Sequence, residues 1–528
     1  MRGLLWVLVL FALIDLRTFG LTDLDEGFYA SVAWEMRQSG NWHTPTFMGQ
    51  PWFEKPPLLY WLMKLSMRAF GEHEFALRLP SAVLYALTML LLLWWGNRRL
   101  GKGVGEWAAV LFGVAPLSLL LARLAITDMA LTFFLLVSLI ALWEVANAPR
   151  MWQAAIWSLL GGVALGLAVL TKGPLGLGLI ALLYLWNARM LHTLGLRFRW
   201  VVLALIATVL TALPWYVGVY QQHGAAFFNE FVVRQNLLRF AGGDMAHSVL
   251  PLLQSGEVGR VLTGIAVYLL FYVVVLWLGG LPMMSAVSVL WQRASEPVGQ
   301  YLQRWLWLVF GLFTLSFTKL PAYIFPMMPA LALLVAQCTM ATRAEASGTA
   351  LPYRMGRGMM VLVGVGAAVW ASVAIFTPLW QHAPWAIALA VGAPLCAFAL
   401  AIPKVSPHLR WAGVLALLIG WNGALTGYDR LALQPVRELA LKAPPYRTLI
   451  LYRVRPGYPS LQFYRKGKFA QTDDATVALK QMQRTGAYCL TTDTAFVQRE
   501  EVFVVGEATA LGKRFYLAAP RYDTSSLP

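Results

Sequence analysis

Charged residues are scarce in this 528-residue chain. Only 13% of its residues are Asp, Glu, Lys or Arg, 59% are hydrophobic, and the mean hydropathy is +0.61. A soluble protein of this length would need far more polar surface. Repeated apolar runs of about 20 residues instead predict helices that cross a membrane.

Cysteine is also rare, with three residues, which excludes a disulfide framework. No small-x-small cleavage site clearly follows the apolar run 4–14, so this run is predicted to be an uncleaved first span. The net charge of +17 would suggest a nucleic-acid partner in a soluble protein. Here most basic residues lie in short loops between apolar runs, so we expect membrane lipids and no nucleic acid as partners.

The apolar runs predict about thirteen spans and therefore an all-α polytopic membrane protein. The predicted spans are 3–18, 81–97, 106–122, 127–145, 153–171, 174–188, 200–220, 260–281, 305–318, 321–341, 358–377, 383–402 and 411–428. With the N-terminus inside, every inner connection is basic, as the positive-inside rule requires. An odd number of spans then places the C-terminal tail outside.

Two long outer loops, 19–80 and 221–259, share one face in this topology, and a composite site can form there. The predicted domains are a membrane domain, 1–428, which includes both loops, and a small soluble α/β domain, 429–528. In the tail, 448–454, 460–464, 501–505 and 514–518 are predicted as strands and 474–484 as a helix. The tail lacks a cluster of catalytic residue types and is interpreted as a cap over the outer face.

The first outer loop gathers the acids of an otherwise apolar region. Asp23, Asp25 and Glu26 lie within four residues, and a Glu54-Lys55 pair precedes two prolines, which stiffen the turn. Aromatic residues surround both clusters and suit a sugar or a lipid head group. The alternative is a solvated loop in which Asp23 or Asp25 caps a helix that begins near Glu26.

Further charged residues lie near the predicted outer ends of spans, where a charge usually faces a cavity or a partner. Asp128 either pairs with Arg123 as a helix cap or points into the same cavity as Asp25. Lys172 and Lys319 either extend to the membrane surface or meet a phosphate. The second outer loop adds the polar residues Arg234, Asn236, Arg239 and His247. Alternatively, these residues form only a solvated face of the loop. On this one face, the carboxylates suit an acceptor hydroxyl or a metal ion, and the cations suit a phosphate.

Five segments in the same order carry a resemblance to a known family. They are Asp25-Glu26-Gly27-Phe28-Tyr29-Ala30, Phe53-Glu54-Lys55-Pro56-Pro57-Leu58, Ala76 with Arg78-Leu79-Pro80-Ser81, Leu170-Thr171-Lys172-Gly173-Pro174, and Thr318-Lys319-Leu320-Pro321 with Tyr323. The chain resembles the bacterial aminoarabinose transferases, which are related to protein O-mannosyltransferases and belong to the GT-C class of membrane glycosyltransferases. The resemblance implies an inverting transfer of 4-amino-4-deoxy-L-arabinose from undecaprenyl phosphate to lipid A. It also implies an inner-membrane location, a periplasmic active site and polymyxin resistance.

The resemblance also implies roles for individual residues. Asp25 is the leading catalytic carboxylate, Glu54 and Asp128 are further catalytic carboxylates, and Lys55 lies beside the carrier phosphate. The substrate-binding residues implied besides Lys55 are Tyr29, Lys172, Arg239, Lys319 and Tyr323. Some members hold a divalent metal near the glutamate with help from a second-loop histidine. Asn236 stands at that place here, so Glu54 and His247 are the candidate ligands of such a metal ion.

Alternatives within and outside the enzyme class remain open from the sequence. The same chemistry could transfer another sugar, for example mannose, to a protein, an O-antigen or an envelope polymer. A flippase or transporter of lipid-linked sugars would place charges near the bilayer midplane and often shows repeated halves. The chain shows no such repeat, and its charges cluster at one predicted face.

Overall fold

The computed structural model describes residues 1–23, 25–238, 248–255, 257–284, 294, 296–344, 396, 400, 406–454 and 457–521. The fold of these residues is mostly helical. The first fourteen α-helices are α1 (Arg2–Leu13), α2 (Asp25–Gln38), α3 (Leu58–Phe70), α4 (Glu74–Arg99), α5 (Val104–Val114), α6 (Pro116–Ala122), α7 (Thr127–Ala146), α8 (Met151–Lys172), α9 (Leu175–Leu194), α10 (Phe198–Phe227), α11 (Leu250–Leu253), α12 (Val258–Gly279), α13 (Pro297–Leu315) and α14 (Met328–Ala344). A π-helix, Phe228–Leu238, follows α10, and a 3-10 helix, Pro321–Met327, precedes α14.

The remaining elements lie mostly in the tail. They are the hairpin strands β1 (Thr46–Phe47) and β2 (Gln50–Pro51), a second π-helix (Asp429–Leu433), the helices α15 (Pro407–Tyr428), α16 (Gln434–Leu441), α17 (Ser460–Arg465), α18 (Ala475–Thr485) and α19 (Thr494–Val497), and the strands β3 (Leu449–Tyr452), β4 (Phe469–Thr472), β5 (Tyr488–Thr491), β6 (Val502–Ala510) and β7 (Lys513–Pro520). By compactness the chain divides into two units. We call residues 1–15, 53–59 and 78–421 the membrane unit, and residues 16–52, 60–77 and 422–528 the loop–tail unit.

Within the described residues, seven helical segments are long and apolar enough to cross a membrane: Glu74–Arg99, Thr127–Ala146, Met151–Lys172, Leu175–Leu194, Phe198–Leu238, Val258–Gly279 and Pro321–Ala341. The bent pair α5 and α6 would add an eighth. The predicted spans 3–18, 305–318 and 411–428 correspond to helices α1, α13 and α15, which are not in this set. The predicted spans 358–377 and 383–402 lie outside the described residues, apart from Cys396 and Leu400. The total of thirteen stays a prediction.

The predicted span 106–122 is not one straight helix. Helices α5 and α6 are bent by 72° at Ala115, which has extended backbone angles. Pro116 explains the break, because it lacks an N–H and disfavours helical geometry at the residue before it.

Small residues let the central helices of the membrane unit approach closely. A Cβ atom at Gly161 would lie 2.7 Å from Ala141 Cβ on α7, and one at Gly162 would lie 2.2 Å from the Ala204 carbonyl on α10. The Thr208 hydroxyl also donates to the Gly162 carbonyl at 3.0 Å. Helix α8 is therefore held between α7 and α10 by backbone contact, which is a common way of packing helices in lipid.

The loop–tail unit contains a five-stranded sheet in the order β4-β3-β5-β7-β6. Strands β4, β3 and β5 are parallel, and β7 and β6 continue the sheet in antiparallel pairing. Three predicted strands correspond to β3, β6 and β7, and the predicted helix 474–484 to α18, whose N-cap is Asp474. The short strands β4 and β5 were not predicted.

The predicted strand 460–464 is wrong, because these residues form helix α17. Pro459 has φ −62° and begins the helical geometry. The Ser460 N–H donates to Asp23 at 3.0 Å, and the Ser31 hydroxyl donates to the Pro459 carbonyl at 2.8 Å. Leu461 and Phe463 alternate like strand residues, but α17 packs on α2 of the first loop and is buried on nearly all sides.

More contacts join the first loop to the tail within this unit. Tyr464 donates to Glu74 at 2.9 Å, Gln462 donates to Glu35, and Lys466 lies 2.7 Å from Glu72. A sequence pattern does not predict contacts of this kind, because the partners lie hundreds of residues apart. The division predicted at 428/429 stays a prediction.

Candidate active site

A cavity of about 100 Å³ in the membrane unit brings together several of the predicted site residues. Its polar lining consists of Glu54, Lys55, Lys172, Gln235, Asn236, Ser316 and Tyr323, and its apolar lining of Leu175, Phe231 and Phe313. The lining comes from the turn before α3, the junction of α8 and α9, the π-helix after α10, and the region between α13 and α14. Four predicted residues, Glu54, Lys55, Lys172 and Tyr323, therefore share one cavity.

Lys172 reaches the cavity because helix α8 ends there. Gly173 follows with φ +81°, and a Cβ atom at this position would lie 3.1 Å from Phe231 and 3.2 Å from Asn236. Only glycine adopts this conformation without strain in so little space. The Lys172 ammonium lies 4.8 Å from the centre of the Tyr323 ring, within the range of a cation–π contact.

Asp128 forms an ion pair with this lysine and not with Arg123. Its Oδ1 atom is 2.6 Å from Lys172 Nζ, and the two side chains are only 8% and 12% exposed. Arg123 instead donates to the Asp15 carbonyl and lies over the Phe11 ring. The pairing of Asp128 with Arg123 is therefore wrong. Asp128 also occupies the first turn of α7, where a negative charge is favourable.

Glu54 and Lys55 lie on a non-helical segment that ends at two prolines before α3. Lys55 Nζ is 3.0 Å from Glu54 Oε1, and Lys55 is buried. The cavity thus presents two ammonium groups, each close to a carboxylate, in surroundings that exclude most water. A phosphate entering it would meet charges that are poorly screened.

Asn236 and Gln235 are cavity residues that motif reasoning did not identify as ligands. Asn236 donates to the Phe231 carbonyl at 2.6 Å, and Gln235 donates to Glu230 at 2.9 Å. Both are side-chain bonds between residues five positions apart, and all four residues lie in the π-helix that follows α10. Wide helical turns of this kind often occur at functional sites, but no simple sequence signal predicts them.

Lys319 does not line this cavity. Its ammonium donates to the carbonyls of Phe313 and Thr314 at 3.1 and 2.7 Å and lies over the rings of Tyr268 and Tyr272. It therefore caps the carboxyl end of α13, where a positive charge is favourable. Burial lowers the pKa of Lys319 to about 8.

Asp25 and Tyr29 belong to the loop–tail unit. Asp25 is the exposed first residue of α2, whereas Tyr29 is buried in edge-to-face contact with Tyr60. Glu26 accepts both the N–H and the hydroxyl of Thr22 at 2.8 and 3.0 Å, which ties the first turn of α2 to the turn before it.

Asp23 is bound to the tail through the N–H of Ser460, with an O–N distance of 3.0 Å. Burial raises the pKa of Asp23 to about 7, although the hydrogen bonds from Ser460 oppose this shift.

Arg239 and His247, the remaining predicted residues, lie outside the described residues. In the part of the chain that the structure describes, no group of three His, Cys, Asp or Glu side chains could hold a metal ion. Glu54 instead faces the Lys55 ammonium, which competes with a metal cation for the carboxylate. The described lining therefore suits an anion, and a metal bound by Glu54 and His247 stays a prediction.

Known proteins resemble the chain in sequence and fold. The family described as dolichyl-phosphate-mannose-protein mannosyltransferase matches residues 2–228. A protein of Pseudomonas savastanoi pv. phaseolicola named undecaprenyl phosphate-alpha-4-amino-4-deoxy-L-arabinose arabinosyl transferase is 30% identical over 402 residues, which are 74% of this chain and 70% of the relative. A protein of the same name from Pseudomonas paraeruginosa is 33% identical over 395 residues, 72% of this chain, and the chain spans only 66% of the relative's length.

A solved structure supports the assignment of the fold. The crystal structure of ArnT from Cupriavidus metallidurans bound to undecaprenyl phosphate has a TM-score of 0.75 and 20% identity, with 100% of this chain and 99% of that chain covered. At this identity the likeness shows the fold alone, whereas the Pseudomonas savastanoi relative also shows the family. The chain belongs to the family of undecaprenyl phosphate-α-4-amino-4-deoxy-L-arabinose arabinosyl transferases.

Proposed function

We propose that the chain is an inner-membrane glycosyltransferase that moves 4-amino-4-deoxy-L-arabinose from undecaprenyl phosphate to lipid A at the periplasmic face. The observation that carries the proposal is the cavity lined by the ammonium groups of Lys55, which is buried, and Lys172, whose side chain is 12% exposed at the end of the apolar helix α8. A lipid-linked phosphate needs this combination of cations and membrane-spanning helices. The names of the relatives supply the sugar and the carrier.

In the proposed reaction, Lys55 and Lys172 hold the phosphate of the carrier. When the acceptor attacks the anomeric carbon, the carbon–oxygen bond to the carrier breaks and the phosphate gains negative charge. Two fixed ammonium groups in the cavity stabilise the departing phosphate monoester more than the phosphodiester of the donor, because the departing group carries more negative charge. The apolar wall formed by Leu175 and Phe313 excludes water, which would otherwise compete as the acceptor.

Asp25 has the proposed role of orienting the acceptor or removing its proton. Its exposed position at the start of α2 is compatible with contact to an incoming group. An acceptor phosphate that is already ionised needs no base, and Asp25 would then act by positioning alone. Full transfer by an Asp25→Asn variant would exclude the base role.

The proposal includes the finer architecture: thirteen spans of the GT-C type, with the loop–tail unit in the periplasm and an α/β domain at its C-terminal end. The basic residues at the predicted inner ends of the spans support this orientation. Cysteine labelling in intact cells tests it. A cysteine at Lys480 should react with an impermeant maleimide, whereas one at Lys102 should be protected.

Mass spectrometry of lipid A tests the transfer itself. The host must make the aminoarabinose carrier but lack its own transferase. The parent chain should add a pentosamine to lipid A, and the Lys55→Ala variant should not. Lys102→Ala is a matched control, because it removes one exposed lysine outside the cavity. Unmodified lipid A in cells that contain the parent chain in their membranes would refute the proposed donor and acceptor.

The family description matched by residues 2–228 favours one alternative, the transfer of mannose to a protein. Mass spectrometry of periplasmic proteins from the same cells distinguishes this alternative by a hexose on a peptide.

A further inference from the structure

The tail sheet has a crevice that the proposed transfer does not use. Strand β3 comes first in the chain, β4 then pairs on one side of it and β5 on the other. The connections after these strands therefore lead in opposite directions. In open α/β sheets, ligands bind at such a switch point, outside the carboxyl ends of the parallel strands.

A cavity of about 640 Å³ opens at this edge of the sheet, lined by Arg453, Asp473, Thr492, Lys513 and Arg514. The first three are the residues that directly follow β3, β4 and β5. The other two begin β7, which runs antiparallel to β5 and therefore starts at the same edge. The sheet topology brings all five together, although they lie up to 61 positions apart in the chain.

Arg453 is held over this edge by the surrounding loops. Its Nη1 atom is 3.2 Å from Asp493 Oδ2, and its Nε donates to the Asp473 carbonyl at 3.4 Å. Its backbone has φ +51°, a left-handed conformation that is uncommon for arginine. Such conformations persist where the surroundings impose them, and they cluster at ligand sites.

Lys513 and Arg514 are exposed side chains next to a tight hairpin turn. Leu511 and Gly512 have φ values of +47° and +77°, as a two-residue turn of this hand requires. The turn fixes where β7 begins and so fixes the height of both cations above the sheet. Three basic side chains thus face the cavity with one acid, Asp473, in its lining.

We propose that this crevice binds a phosphorylated saccharide. Arg453 and Arg514 offer planar guanidinium groups that match a phosphate, and Lys513 adds a point charge. Asp473 and Thr492 offer a carboxylate and a hydroxyl, which suit sugar hydroxyls rather than a bare anion. The volume lies within the range of small-molecule sites, so a sugar phosphate fills it better than inorganic phosphate does. This binding does not depend on the transfer reaction proposed above.

Ligand-observed NMR on the full-length protein in nanodiscs tests the proposal with glucose 1-phosphate, glucose and inorganic phosphate as probes. Glucose 1-phosphate should bind more tightly than the other two. The K513Q/R514Q variant should weaken its binding about tenfold or more, as expected for lost charge-assisted hydrogen bonds. The matched control K480Q/R484Q removes one lysine and one arginine from the exposed surface of α18 and should bind as the parent does.

Three results would overturn the proposal. One is unchanged affinity for glucose 1-phosphate in both K513Q/R514Q and R453Q. The second is equal binding of inorganic phosphate, which would indicate a free-phosphate site. The third is loss of binding in the Lys55→Met variant, which would place the ligand in the membrane unit. Lipid A modification is measured separately, so a failed transfer with retained binding would count against the proposed function alone.

Discussion

Breaking the buried ion pair between Lys172 and Asp128 separates the structural role of the lysine from its proposed catalytic role. The two groups are 2.6 Å apart, and their side chains are almost fully buried. Removing one partner of such a pair leaves an uncompensated charge, which costs about 3–5 kcal/mol. We therefore expect Lys172→Met to lower the thermal midpoint of the purified protein strongly.

Removing both charges should restore most of this loss. Replacement of a whole buried pair by uncharged groups of similar volume is often neutral for stability. The Asp128→Asn/Lys172→Met double variant should therefore be more stable than Lys172→Met alone. It should still fail to modify lipid A, because the ammonium proposed to hold the carrier phosphate remains absent.

The assay combines thermal unfolding in one detergent with mass spectrometry of lipid A. Arg260→Met is the control, since Arg260 and Glu257 form an exposed pair 3.0 Å apart, and such pairs contribute only about 0.2–1 kcal/mol. Normal lipid A modification by the double variant would refute the role of Lys172 in binding phosphate. Equal stability of the single and double variants would refute the coupling of the two charges.

Four further predictions concern other residues. Asp25→Asn should abolish lipid A modification if this carboxylate is the base. Lys55→Ala should weaken affinity for the phosphate of the donor's carrier about tenfold, measured by titration with undecaprenyl phosphate, because one charge-assisted contact is lost. Lys319→Met should lower the thermal midpoint, since two carbonyls at the end of α13 lose their buried donor. The raised pKa of Asp23, about 7 against 3.8, means that folding stability should fall as pH rises between these values, and Asp23→Asn should remove this fall.

Each of these predictions has a result that contradicts it. Retained transfer would exclude the base role of Asp25, and unchanged affinity for undecaprenyl phosphate would exclude a phosphate contact of Lys55. An unchanged midpoint would show that the α13 carbonyls find other donors without Lys319. A thermal midpoint that depends equally on pH in the parent and in Asp23→Asn would assign the dependence to another group.

Loss of transfer in a chelator, with recovery on adding a divalent ion, would confirm that a metal is required.

Helix positions were predicted well where apolar runs end in charged or helix-breaking residues. The span predicted at 127–145 is Thr127–Ala146, and the span predicted at 153–171 is Met151–Lys172. Lipid demands continuous helix, so hydropathy alone locates such segments. The bend at Ala115 was not predicted, because hydropathy is insensitive to the missing N–H of Pro116.

The motifs identified Glu54, Lys55, Lys172 and Tyr323, which share one cavity. They did not reveal which charged side chains form ion pairs. Asp128 lies 44 positions from Lys172 and five from Arg123, and sequence distance favoured the wrong partner. Tertiary packing likewise decided the helix at 460–465, which has strand-like alternation. Its Ser460 N–H donates to Asp23 of the first loop, and the Ser31 hydroxyl of that loop donates to the preceding Pro459 carbonyl.

Lys319, near the end of α13, and Lys172, at the end of α8, differ in what surrounds their ammonium groups. Lys319 has carbonyls and aromatic faces around its ammonium, and it does not line the cavity. Lys172 lines the cavity, and its ammonium lies 2.6 Å from the Asp128 carboxylate. A donor phosphate needs a cation that is held in place at the cavity wall. The ion pair with Asp128 holds the Lys172 ammonium at the cavity, so Lys172, rather than Lys319, is the lysine expected to hold the phosphate, and Asp128→Asn should weaken donor binding by releasing this lysine.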